Sequence, residues 1–180
     1  MTTDDAYRTI LMDPPWLERG SGKVKRGADR HYPVMAVRQI LPAILTSGFW
    51  RPDPIGAVLW CWATNNYLKD ALWLIDALGF RYITNAAWVK TGRPGLGQWL
   101  RGRHELLLMA TAGKRPTTAR TDRRDLPGVI EAPRGRHSAK PDAAYRLIEA
   151  RCHGPRVELF ARTARPGWDA WGNEISQPQP

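Results

Sequence analysis

The tetrapeptide Asp13-Pro14-Pro15-Trp16 directly follows the apolar run Thr9-Ile10-Leu11-Met12 and combines groups that suit one kind of chemistry. The exocyclic amine of a nucleobase is a poor nucleophile because its lone pair is delocalised into the ring. A carboxylate and a backbone carbonyl could accept its two N–H bonds and orient the lone pair toward an incoming methyl group. The prolines stiffen the loop and leave its carbonyls free to accept, and Trp16 offers a face on which a flipped base could stack. The alternative is a strand end, a Pro-Pro turn and a core tryptophan.

The charge of the chain favours a polyanionic partner. A formal net charge of +10 and a pI near 10.2 are high for an enzyme that acts on a neutral metabolite. The basic residues crowd two stretches that we interpret as surface loops, and we expect at least one of them to contact a nucleic-acid backbone. The first contains Arg19, Lys23, Lys25, Arg26 and Arg30, and the second contains Lys114, Arg115, Arg120, Arg123, Arg124, Arg134 and Arg136.

Composition predicts one folded domain over residues 1–180. The chain is 43% hydrophobic and contains nine tryptophans, which is enough to build a core. No apolar run is long enough to cross a bilayer, and the polar start has no signal-peptide pattern. Cys61 and Cys152 are far apart and neither belongs to a Cys-x-x-Cys pair, so we expect free thiols in the cytoplasm. No His, Cys and Asp cluster has the spacing of a metal site, so no metal is expected.

Strand and helix patterns alternate along the chain and position the tetrapeptide at a strand end. Strands are predicted at residues 9–12, 57–62, 86–89, 106–109 and 157–160, with a further short one at 129–130, and helices at 36–45, 67–78 and 143–150. This order predicts an α/β fold with a mostly parallel, doubly wound sheet and helices on both faces. Ligands on such sheets bind beyond the carboxyl ends of the strands, where Asp13 and Arg162 both fall.

Several blocks, in order, resemble the MT-A70 family of adenine N6-methyltransferases. They cover nearly the whole chain: Asp13-Pro14-Pro15-Trp16, His31-Tyr32-Pro33-Val34-Met35, Leu59-Trp60-Cys61-Trp62-Ala63-Thr64-Asn65, Trp88-Val89-Lys90, Gly95-Leu96-Gly97, Arg103-His104-Glu105, His137-Ser138-Ala139-Lys140-Pro141-Asp142, Glu158-Leu159-Phe160-Ala161-Arg162 and Gly167-Trp168-Asp169-Ala170-Trp171-Gly172-Asn173-Glu174. The resemblance implies a Rossmann-like methyltransferase that uses S-adenosylmethionine, with the catalytic motif preceding the cofactor-binding strand.

The resemblance also implies roles for individual residues. Asp13, Pro14, Pro15 and Trp16 would be the catalytic motif. Lys140 would reach the cofactor's methionyl carboxylate, and Asp13 would also touch its ammonium group. The ribose end of the cofactor would be held by Arg162, Asn173 and Glu174. Contacts with the substrate would come from Trp16, Tyr32, Lys25, Arg26, Arg103 and Glu105.

The implied function is methyl transfer to the N6 amine of adenine in DNA. RNA stays open as the substrate because the pocket contacts the base and not the sugar. Cytosine N4 stays open as the target because the same acceptors serve either amine. The alternative from another functional class is a catalytically silent subunit that binds nucleic acid. The chain contains no Gly-x-Gly-x-x-Gly fingerprint, and we expect no separate target-recognition domain. The residue that reads the cofactor adenine is not identified, and monomer, homodimer and heterodimer all stay open.

Overall fold

A computed structural model describes residues 6–17, 35–93, 99–135 and 139–175, in which seven strands form one sheet. The strands are β1 (Thr9–Met12), β2 (Ala57–Ala63), β3 (Arg81–Thr91), β4 (His104–Ala112), β5 (Val129–Pro133), β6 (Arg156–Leu159) and β7 (Asp169–Trp171). The α-helices are α1 (Val37–Leu45), α2 (Leu68–Ala77) and α3 (Asp142–Arg151), and short 3-10 helices lie at Asn65–Tyr67 and Pro116–Ala119.

The strand order β5-β3-β4-β2-β1-β6-β7 brings most strand ends to one side. β1 runs parallel to β2 and β6, β6 to β7, and β3 to β5, whereas β4 is antiparallel to both β2 and β3. Every strand except β4 therefore ends at the same edge of the sheet, here called the carboxyl edge, and β4 begins there. The opposite edge is called the amino edge.

Apolar residues on the two faces of the sheet build two cores. On one face, Ile40 and Ile44 of α1 and Leu74 and Ile75 of α2 pack with alternate residues of β1 and β2. On the other face, Ala144, Leu147 and Ile148 of α3 pack against a tryptophan-rich layer of Trp60, Trp62 and Trp88. β2 contributes to both cores and is buried throughout, as a continuous apolar run predicts.

These observations confirm the predicted α/β class and the mostly parallel sheet with helices on both faces. β3 and β4 are longer than predicted, because residues 81–85 of β3 are exposed and owe their strand conformation to pairing with β4. β7 escaped prediction because it has only three residues and lies at the sheet edge. Phe160 is not part of β6 but follows it with a φ of +62°. None of the described helices is long and apolar enough to cross a membrane.

Candidate active site at the carboxyl edge

The backbone of the Asp13–Trp16 segment is fixed by hydrogen bonds to its surroundings. The amide of Asp13 donates to the Leu159 carbonyl at 3.4 Å, which ties the end of β1 to the end of β6. The Trp16 amide donates to the Pro14 carbonyl at 2.8 Å, and the Met35 amide donates to the Pro15 carbonyl at 2.8 Å. The Pro14 and Pro15 carbonyls each already accept one bond, so that acceptance of an N–H of the base by a carbonyl of this segment stays a prediction. A further N–H would have to use the second lone pair that a carbonyl oxygen offers.

Trp16 lies in the core beside the end of β2. Its side chain is 4% exposed, and its Nε1 donates to the Trp62 carbonyl at 3.1 Å. The Tyr67 ring stacks on it with centroids 5.6 Å apart and an interplanar angle of 15°, and the Tyr67 hydroxyl donates to the Leu17 carbonyl. Tyr67 thus occupies one face of the Trp16 ring. Stacking of Trp16 on a base stays a prediction, and it would have to use the part of the ring that Tyr67 does not cover. Tyr67 could not be predicted as a site residue, because its sequence pattern indicates only the start of a helix.

Lys140 brings together residues that are far apart in the chain. It precedes α3, and its Nζ lies 2.7 Å from Oδ2 of Asp13 and 3.5 Å from Oε2 of Glu105. It also lies 5.4 Å from the centroid of the Trp62 ring, and only 9% of its side chain is exposed. The predicted catalytic carboxylate, the predicted cofactor lysine and a predicted substrate residue therefore meet in one partly buried cluster at the carboxyl edge.

Lys90 extends this cluster on the other side of Glu105. Its Nζ donates to Oε1 of Glu105 and lies 4.8 Å from the centroid of the Trp88 ring. Asp13, Lys140, Glu105 and Lys90 then alternate in charge, and we call them the charge chain. Burial disfavours the ionised form of Glu105, but Lys140 and Lys90 outweigh burial and hold its pKa below the usual value. Lys90 belongs to the Trp88-Val89-Lys90 block of the resemblance, but the sequence did not predict a role for it in the site.

Residues from the ends of β6 and β7 form a second part of the site. The Ala161 amide donates to the Trp171 carbonyl at 2.9 Å, and a Cβ built on Gly172 would lie 2.0 Å from the Ala161 carbonyl oxygen. Only glycine allows this approach, which sets the turn that leads to the exposed Asn173 and Glu174 against Ala161, the residue before the half-buried Arg162. Phe160 has a positive φ, which costs a non-glycine residue energy, and its ring meets Trp171 edge-on at 5.1 Å.

Glu158, which sequence reasoning did not select, lies in the sheet close behind Asp13. It pairs in register with Leu11, two residues before Asp13, and points to the same face of the sheet. It is 7% exposed and its Oε1 accepts a hydrogen bond from the Tyr145 hydroxyl at 2.8 Å. Burial, assisted by the negative charge of Asp13, raises its pKa to about 7 although the Tyr145 hydrogen bond opposes the shift.

The remaining predicted substrate residues are distributed unevenly. Lys25, Arg26 and Tyr32 lie outside the described residues. Arg103 is exposed at the carboxyl edge, just before β4.

The described residues of the second basic stretch are divided between the two edges of the sheet, and Arg136 lies outside the described residues. The first part of this stretch lies at the amino edge, where the amides of Lys114 and Arg115 donate to carbonyls just before β2, whereas Arg134 follows β5 at the carboxyl edge. In the part of the chain that the structure describes, no three His, Cys, Asp or Glu side chains come together as a metal site requires.

Comparison with known proteins bears on this geometry. The MT-A70 family model matches residues 7–174. Type II methyltransferase M.MunI of Mycoplasma sp is 26% identical over 94% of this chain and 78% of its own length. N6-methyladenosine RNA methyltransferase MTA1 of Cryphonectria parasitica is 24% identical over 94% of this chain and 52% of its own length. N(6)-adenine-specific methyltransferase METTL4 of Mus musculus is 26% identical over 94% of this chain, which spans only 37% of that relative. Since the family model includes every described site residue from Asp13 to Glu174, the chain belongs to the MT-A70 family.

Proposed function

We propose that this protein transfers a methyl group from S-adenosylmethionine to the exocyclic N6 amine of adenine in DNA. Adenine-specific methylation of DNA or RNA is the activity to which family membership points, and such enzymes generally use this cofactor. The observation that carries the proposal is the contact between Lys140 and Asp13 beside the Pro-Pro-Trp segment, 2.7 Å long and largely screened from solvent. It couples a candidate anion-binding cation directly to the candidate catalytic carboxylate.

The chemistry of the described residues fits the cofactor. Lys140 offers a positive charge to a carboxylate, and Asp13 offers a negative charge to an ammonium group. Among the described residues, the buried Trp62 Nε1 and Thr64 Oγ1 atoms at the end of β2 have no hydrogen-bond partner, which is expected where a polar ligand completes a site. Arg162, Asn173 and Glu174 at the ends of β6 and β7 would hold the ribose.

The residues of the charge chain would act mainly by orientation and electrostatics. S-adenosylmethionine supplies the electrophilic methyl group when bound. A carboxylate that reached Lys140 would compete with Asp13 and Glu105 for the same Nζ atom. Asp13 would then be available to accept an N–H of the adenine amine and turn the nitrogen lone pair toward the methyl group. The methylated amine would release its proton to water, so that no stronger base than Asp13 is needed.

DNA is our first candidate polymer and RNA the second. A Type II methyltransferase is 26% identical to this chain and an RNA methyltransferase is 24% identical, each over 94% of it, so the experiment below decides between the polymers. Trp16, Tyr32 and Glu105 would line the base pocket, and Lys25, Arg26 and Arg103 would contact the polymer. We place the protein in the cytoplasm, where the buried free thiols of Cys61 and Cys152 stay reduced. A homodimer or heterodimer is compatible with these roles.

Methyl transfer from labelled S-adenosylmethionine to matched DNA and RNA pools, followed by nucleoside mass spectrometry, tests the proposal. We expect N6-methyladenine in DNA with the wild type and none with Asp13→Ala. Asp76→Ala, which changes an exposed carboxylate on α2, should retain full activity. N6-methyladenine in RNA alone would show that RNA is the substrate. N4-methylcytosine in the product would show that the target base is cytosine and not adenine. If the folded wild type binds nucleic acid but does not bind S-adenosylmethionine and does not transfer methyl groups, the protein is a catalytically silent partner subunit.

A further inference from the structure

The segment before β4 exposes two large apolar side chains. Trp99 is 95% exposed and Leu100 is 85% exposed, whereas Trp60, Trp62 and Trp88 are each no more than 3% exposed. Folding therefore buries very little of the apolar surface of these two neighbouring side chains. Such a pair is typical of a surface that is covered when a partner binds.

The position of this pair relates it to the active site. β4 begins at His104 on the carboxyl edge, and Glu105 of the charge chain is the second residue of that strand. Trp99 and Leu100 therefore stand a few residues before a side chain that contacts Lys140. A guanidinium nitrogen of Arg134, which follows β5, lies 3.5 Å from the Gly102 carbonyl oxygen and links the segment to the neighbouring strand end.

The charges around the pair identify the kind of partner. Arg101 and Arg103 follow it directly, and both are exposed, as is Arg93 after β3. An apolar protein surface would strip water from these guanidinium groups without replacing it, whereas a nucleic acid would meet them with phosphates. Stacked bases are in turn the apolar surface that nucleic acids offer to tryptophan and leucine. The pair and its arginines thus complement a nucleic acid in both charge and polarity.

We propose that Trp99 and Leu100 form a wedge that enters the base stack of duplex nucleic acid next to the target adenine, while Arg101 and Arg103 contact the flanking phosphates. This inference rests on the proposed function. The N6 amine of a paired adenine cannot reach Asp13 until the base leaves the stack, which costs unpairing and unstacking energy. A wedge that fills or braces the opened step lowers that cost, and it is not needed for a base that is already unpaired.

Comparison of one DNA pool in duplex and in single-stranded form tests the wedge. We expect Trp99→Ala to lower kcat/KM for N6-adenine methylation about 10- to 100-fold on the duplex and less than threefold on the single strands. Trp99→Phe should keep most of the duplex activity because it keeps an aromatic face. Trp73→Ala is the matched control, since Trp73 is also exposed, at 46%, but lies on α2. Equal loss on both forms, or no loss, would overturn the wedge and leave the proposed function intact.

A fluorescence measurement without methyl transfer separates failure of the wedge from failure of the proposed function. In duplex DNA with 2-aminopurine at a fraction of the adenine positions, wild type should raise the emission and Trp99→Ala should not. A wild type that raises the emission without methylating would refute the proposed chemistry alone. The wedge would be rejected if Trp99→Ala raised the duplex emission as strongly as wild type does. It would also be rejected if Trp99→Ala sedimented as a monomer where wild type is a dimer and lost activity equally on both DNA forms. The latter result would assign the pair to contact with a second copy of the chain.

Discussion

Lys140 Nζ lies 2.7 Å from Oδ2 of Asp13, although 127 positions separate the two residues in the chain. The contact exists because Asp13 directly follows β1 and Lys140 precedes α3, which returns across the face of the sheet that carries Asp13. A cation at the start of a helix is unfavourable for the helix dipole. The two carboxylates of Asp13 and Glu105 offset that cost, so the position of Lys140 serves the site and not the helix.

Replacement of Lys140 should weaken cofactor binding. We expect Lys140→Ala to reduce the affinity for S-adenosylmethionine by about 1.5–3 kcal/mol, the value of a hydrogen bond to a charged group, and Lys140→Arg to recover part of it. Isothermal titration calorimetry measures the effect. Lys114→Ala is the control, because Lys114 is exposed at the amino edge. An unchanged dissociation constant in Lys140→Ala would remove Lys140 from the cofactor site.

Glu105 should matter for stability, since its removal leaves Lys90 and Lys140 without their shared partner. The side chains of Glu105 and Lys90 are 10% and 15% exposed, and breaking such a pair costs on the order of 3 kcal/mol. We expect Glu105→Gln to lower the free energy of unfolding by about this amount at pH 7, as measured by urea denaturation. In a double-mutant cycle, Lys90→Met should cost much less in the Glu105→Gln background than in wild type. Strictly additive losses would show that the pair contributes nothing.

Local sequence patterns were sufficient for much of the fold but not for the contacts of the site. β1, β2 and β6 follow continuous apolar runs, and α2 follows an apolar stripe ended by Gly79, which has a φ of +79°. The pairing of Lys90 with Glu105 depends on the antiparallel register that sets Trp88 opposite Glu105. Periodicity carries no information on strand direction, so this contact could not be predicted.

The residues of the tetrapeptide illustrate the same limit. Its place at a strand end on the carboxyl edge follows from the apolar run before it. The burial of Trp16 does not, because it depends on Tyr67, which arrives from the segment after β2. The division of the second basic stretch between opposite edges follows from the strand order, which the sequence leaves undetermined.

Glu158 should make the stability of the protein depend on pH near neutrality. Because its pKa is raised to about 7 in the folded protein, folding favours the protonated form. The associated stability is full below the ordinary glutamate pKa and is lost as the pH rises toward 7. Glu158→Gln keeps an acceptor for Tyr145 and cannot ionise. We expect the free energy of unfolding of Glu158→Gln to equal that of wild type near pH 4 and to be about 3 kcal/mol higher than that of wild type at pH 8.

Urea denaturation at intervals from pH 4 to pH 8.5 measures this difference. Glu131→Gln is the control, because Glu131 is an exposed glutamate on β5, and its difference from wild type should not grow over the same range. A constant offset between Glu158→Gln and wild type at every pH would contradict the assignment. If the difference in unfolding free energy between Glu158→Gln and wild type grew toward acid pH, the pKa of Glu158 would be lowered and not raised in the folded protein.

Gly172 should be required for the ribose end of the site. Its Cα approaches the Ala161 carbonyl so closely that an added Cβ would lie 2.0 Å from the oxygen atom and 2.8 Å from the Ala161 amide nitrogen. Because both neighbours are backbone atoms, Gly172→Ala must push β7 away from the end of β6. We expect it to cost about 1–3 kcal/mol of stability, the range for overpacked sites, and to weaken S-adenosylmethionine binding by displacing Asn173 and Glu174 from the end of β6. Gly128→Ala is the matched control, since an added Cβ there meets nothing within 4 Å. Calorimetric titration alongside thermal unfolding separates the two effects: a variant that loses stability but binds the cofactor with wild-type affinity would show that the Asn173–Glu174 turn does not hold the ligand.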